Sequence, residues 1–143
     1  MKNKIVKKII YIFAVIVQIL LITSAFVLNS LTDTKAGVMH HVYYKRYEYE
    51  QGIYSQSNLT IQSIVAVAIC ILLAFLLFLA IKKGKDKFHI IQIALGLISG
   101  ILVYFVINNS VFIDMLAYPY FIMAFEIVLG IQVVIIIISR LVK

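Results

Sequence analysis

Charge is scarce in this sequence. Only 13% of its 143 residues are Asp, Glu, Lys or Arg, tryptophan is absent, and cysteine occurs once. A soluble domain carries about 25% charged residues. With 64% hydrophobic residues and a mean hydropathy of +1.07, there is too little polar side chain here to cover a globule in water. That excludes a soluble enzyme, a disordered tail and a nucleic-acid-binding domain, despite a net charge of +7. One thiol, Cys70, cannot close an intramolecular disulfide. Quinone-linked disulfide chemistry and cysteine-based zinc sites are excluded with it. Cys70 lies in an apolar run with no cation near it in sequence, so it reads as a small buried hydrophobe. The class is an integral membrane protein, with residues 1–143 forming one domain.

Four apolar stretches are long enough to cross a bilayer, at residues 9–31, 59–81, 88–107 and 118–139. None contains Lys or Arg. Backbone in hydrocarbon must satisfy its own hydrogen bonds, so each is expected to be a helix. The fold expected is an all-α, four-transmembrane-helix antiparallel bundle. The N-terminus (Lys2, Lys4, Lys7, Lys8), the link Lys82–Lys87 and the C-terminus (Arg140, Lys143) hold ten of the thirteen basic residues. An even number of spans puts these on one side, so both termini are expected in the cytoplasm of a cell whose plasma membrane the chain crosses. Residues 32–58 and 108–117 then lie outside. Tyr104, Tyr118 and Tyr120 fit an interfacial belt, which without tryptophan is modest. A rival reading takes Lys2–Lys8 and the following apolar run as a signal peptide cleaved after Ala25. The run continues through Phe26, Val27 and Leu28, which argues against it.

Lipid tails are as apolar as leucine, so small residues and interhelical hydrogen bonds must hold such helices together. Each span carries a stripe of that kind. Span one has Ala14, Gln18, Ala25 and Asn29; span two has Ser63, Ala66, Cys70 and Ala74. Span three has Gln92, Gly96, Ser99 and Gly100, and span four has Glu126 with Gly130. Gly96, Gly100 and Gly130 are the expected packing positions. The G-x-x-x-G at Gly96–Gly100 fits an intramolecular contact or a homodimer face.

Glu126 is the sharpest chemical feature. It is the one acid within a span, and an ionised carboxylate there is costly. It reads either as a proton or cation site, or as a protonated group hydrogen-bonded to Gln18 or Ser99 at similar depth. The outer segment 32–58 holds Tyr43, Tyr44, Lys45, Arg46, Tyr47, Glu48, Tyr49 and Glu50. Alternation of types and strand-favouring residues predict a short strand or hairpin over the helix ends. Tyr43, Arg46, Tyr47 and Tyr49 are the candidate partner-binding residues. The other reading is a lid whose rings rest among lipid headgroups. Adjacent residues of a strand point to opposite faces, so His40 and His41 are not expected to share a metal ion. Asn58-Leu-Thr60 and Asn108-Asn-Ser110 match the glycosylation sequon, but both touch a membrane boundary.

In outline the chain is similar to small multidrug exporters and holin-like proteins. The exporters place their essential acid in the first helix, and span one has none, so membership does not follow. No catalytic set and no nucleotide site can be read. The expectation is a non-enzymatic accessory or immunity protein without cofactor, binding membrane lipid and another membrane protein or a peptide through the outer loop and bundle surface. The alternative is a small proton-linked transporter or pore using Glu126.

Overall fold

The computed structural model describes residues 2–141, with side chains from Lys4 onward, and these residues are almost entirely helical. Lys143 and the side chain of Lys2, counted among the basic residues of one end, lie outside the described residues. Six helices follow one another: α1 (Lys2–Thr34), α2 (Ala36–Gln51), α3 (Gln56–Lys82), α4 (Lys87–Asn108), α5 (Ser110–Ile113) and α6 (Tyr118–Leu141). Of these, α1, α3, α4 and α6 are long and apolar enough to cross a membrane, as in a multi-pass membrane protein. Each runs past its apolar stretch at one end or both, by seven residues at the start of α1 and by three or fewer elsewhere. The helix does not end where hydropathy does; α1 continues into its lysine-rich first turns.

The long helices form a row. α3 packs on α4, α4 on α6, and α6 on α1. Among the described residues no comparable contact joins α1 to α3, so the expected four-helix bundle is open along one side. α6 sits in the middle of the row and is half enclosed along its apolar window, against 11% for α1. Neighbours run antiparallel. The α3–α4 turn closes as a Schellman motif: the amide of Lys85 bonds to Ala80 O at 3.0 Å and that of Gly84 to Ile81 O at 3.1 Å. Gly84 takes φ 59° there, the left-handed conformation that glycine adopts without steric cost. At that end of the row the Tyr11 and Phe88 rings meet at a tilt of 54° with their centres 4.6 Å apart, and His89 Nδ1 meets Ser139 Oγ at 2.7 Å. The start of α1, the α3–α4 turn and the end of α6 therefore share one end of the molecule, as an antiparallel four-span arrangement requires.

Two glycines set the spacing of the row. A Cβ on Gly96 would stand 2.8 Å from Ile136 Cδ1 and 3.3 Å from Leu73 Cδ1. A Cβ on Gly100 would stand 2.7 Å from Cys70 Sγ. α4 thus uses its G-x-x-x-G to seat both α3 and α6. Gly130, expected to pack in the same way, has no atom within 4 Å of where its Cβ would lie.

The outer segment corrects the sequence reading. Residues 36–51 are helix, and no strand occurs among the described residues. Val38, Val42, Arg46 and Tyr49 recur at helical spacing and turn inward, and Val42 is fully buried. Lys45–Glu48 at 2.8 Å and Arg46–Glu50 at 2.7 Å add pairs that only a helix brings together. A strand would have needed a partner edge, and an isolated hairpin is marginal in water.

Candidate functional site

α2 lies as a strap over one end of the row. It leaves α1 at Lys35, whose extended backbone (φ −129°) makes the corner, and it touches α6 before the chain turns into α3 at Gly52. Arg46 pins it. Its Nη1 donates to Met115 O at 2.6 Å and its Nη2 to Ile113 O at 2.9 Å, while Nε pairs with Glu50. The guanidinium also lies 5.8 Å from the centre of the Tyr118 ring. Tyr49 packs edge-on against Tyr54 and Tyr120. The helix thereby divides the four candidate partner-binding residues. Arg46 and Tyr49 face the fold; Tyr43 and Tyr47 face out, at 63% and 59% exposed, together with Tyr44.

Below the strap lies Glu126, eight residues into α6 and so about 12 Å from its start. The Tyr54 side chain, buried after the α2–α3 turn, interacts with this carboxylate. Burial first, and then the charge of Glu126, hold the Tyr54 phenol well above its usual range. Tyr54 also borders an outer cavity of about 780 Å³ that Arg46, Glu50, Asn108 and Tyr118 help to line. Glu126 borders a second, apolar groove of about 400 Å³ between α3 and α6. Tyr54 thus stands between the outer cavity and the acid.

Gln18 and Ser99 do not reach Glu126. Gln18 donates to Gln132 Oε1 at 3.0 Å, and Gln132 Nε2 donates in turn to Gln92 Oε1 at 2.8 Å and Gln92 O at 3.0 Å. These three glutamines tie α1, α6 and α4 together inside the row. Ser99 Oγ bonds back to Leu95 O of its own helix. Sequence reasoning missed Gln132, Tyr54 and Gln62, another side chain bordering the groove. Gln132 carried a signal, as an amide inside an apolar run. Tyr54 carried none, because its partner lies far along the chain.

Among the described residues, no three His, Cys, Asp or Glu side chains gather where they could hold a metal ion. Comparison with protein families, with curated proteins and with solved structures finds no match to this chain.

Proposed function

We propose that the chain is a small, non-enzymatic plasma-membrane protein of accessory or immunity type, with both termini in the cytoplasm. It binds another membrane protein or a peptide through the outer face of α2. The observation that carries this reading is the division of α2 into a pinned face and a free one. Arg46 holds the strap to the α5–α6 corner, and three tyrosines are left displayed side by side. Rigid aromatic rings lose little conformational entropy on binding and are frequent at binding hot spots. The excess of basic residues at the end opposite the strap supports the orientation, and their attraction to anionic headgroups supports lipid as a further partner.

The test places a photo-crosslinking residue at position 43 or 47, and at buried position 42, in cells. A protein or peptide adduct at 43 and 47 but not at 42 is expected. The identified partner should then bind the purified chain, with a Tyr43→Ser/Tyr47→Ser variant weaker by about tenfold. Adducts to lipid alone would make α2 a headgroup-level lid and overturn the reading.

A second reading, proton-linked transport or a pore, draws support from Tyr54, which lies between the outer cavity and Glu126. Proton flux into proteoliposomes that is lost in Glu126→Gln, with melting temperature kept, would promote it over the first.

A further inference from the structure

The groove between α3 and α6 is walled by Ile61, Val65, Ile69, Val103, Leu129 and Val133, and two polar side chains, Glu126 and Gln62, also border it. Both carry acceptor oxygens. The Gln62 amide is oriented by its own Nε2, which donates to Ile53 O at 3.3 Å. Its Oε1 is left buried without a hydrogen-bond partner. Such an orphaned acceptor is costly and uncommon in a native structure. Glu126 has a neutral phenol as its neighbour, and no Lys, Arg or His is among the groove-lining residues. Gly130 leaves the floor open, since nothing lies within 4 Å of where its Cβ would stand.

We propose that this groove binds a lipophilic ammonium ion, a primary or secondary amine with an alkyl or aryl-alkyl body. The ammonium supplies the positive charge that Glu126 lacks and an N–H donor for Gln62 Oε1. The hydrocarbon body covers the apolar walls. An alcohol of the same shape brings one donor and no charge, and an anion would be repelled by the carboxylate. The site is separate from the α2 face, and its failure would leave the partner-binding reading standing.

The test uses the full chain in phosphatidylcholine nanodiscs, with 4-phenylbutylamine as the probe and 4-phenylbutanol as its neutral counterpart. Equilibrium dialysis against empty nanodiscs subtracts simple partitioning. The amine is expected to show saturable retention at one site per chain, and the alcohol none beyond partitioning. Glu126→Gln should weaken amine binding by about tenfold or more, and Gln62→Leu by a smaller factor. Gly130→Phe, whose Cβ meets no atom within 4 Å, adds a ring at the border of the groove and should abolish binding at unchanged melting temperature. It decides the matter should Glu126→Gln fail to fold. Equal retention of amine and alcohol, or saturable amine binding unaffected by Gly130→Phe, overturns the proposal. So does amine retention no greater than in empty discs, the result expected if lipid or a neighbouring helix fills the groove.

Discussion

Gln18 of α1 and Gln132 of α6 share a 3.0 Å hydrogen bond that adds a polar tie to the packing of α1 on α6. Gln132 is 2% exposed and also holds Gln92, so one amide serves three helices. Gln132→Leu would strand the Gln92 Oε1 acceptor on α4 and leave Gln18 Nε2 on α1 with only its longer, 3.4 Å bond to Val128 O. Interhelical hydrogen bonds in membranes are worth about 0.6 kcal/mol on average and up to roughly 1.7. The expected loss is therefore about 1–3 kcal/mol, read as unfolding in mixed micelles. Gln18→Leu removes the bonds to Gln132 and Val128 but leaves the Gln132–Gln92 pair in place, and should cost less.

Gly100 and Gly130 should part sharply under the same substitution. Leucine at 100 must displace the Cys70 sulfur, 2.7 Å from the first added carbon, while leucine at 130 enters open space. Overpacking of this kind costs about 1–3 kcal/mol. Thermal denaturation in detergent is expected to show a clear drop for Gly100→Leu and little change for Gly130→Leu. Equal melting temperatures would mean that α3 and α4 do not meet at Gly100.

The strap predicts a helical pattern of sensitivity, not an alternating one. Arg46→Ala removes two charge-assisted bonds to Ile113 O and Met115 O. Since the side chain is 21% exposed, the cost should fall near the low end, about 1–2 kcal/mol. It should appear locally, as faster amide hydrogen exchange over residues 36–51. Tyr43→Ala and Tyr44→Ala should leave that exchange unchanged, because both rings point away from the fold.

The four long helices were readable because no Lys or Arg interrupts the spans, and backbone in hydrocarbon has few alternatives to helix. The outer segment misled because its charges and rings alternate, while its inward set, Val38, Val42, Arg46 and Tyr49, is sparse enough to be hidden among them. The small-residue stripes said which face of each helix approaches another, not which helix it meets. Hence Gly96 and Gly100 were legible and the open side of the row was not. Glu126 stood out as a lone acid. Its neighbour Tyr54 is set by the α2–α3 turn, where Tyr54 N bonds to Tyr49 O at 2.9 Å, and a turn's direction is not written in hydropathy.

The proposed sidedness puts the shared end of α1, α4 and α6 in the cytoplasm. In a Cys70→Ala background, single cysteines at Lys4, Glu48, Lys83 and Arg140 report it. An impermeant maleimide added to intact cells should label position 48 alone, and all four after permeabilisation. Labelling of position 83 in intact cells would reverse the orientation.

Tyr54 gives the protein an alkaline weakness. Its phenol is held above the model-peptide value of 10.0 by burial and by the charge of Glu126. A raised acid pKa means that the folded state binds the proton more tightly than the unfolded chain does. The stabilisation is complete below pH 10.0 and is lost as pH rises above that value, where only the unfolded chain ionises readily. Tyr54→Phe keeps the ring and removes the titrating group. The melting temperature of the wild type should therefore fall more steeply between about pH 9.5 and 11 than that of the variant, so the gap between the two curves narrows or reverses with rising pH. Other tyrosines titrate in both proteins and cancel in the comparison. Parallel curves across that range would mean that Tyr54 ionises as freely in the fold as outside it, and that the phenol does not stand buried against Glu126.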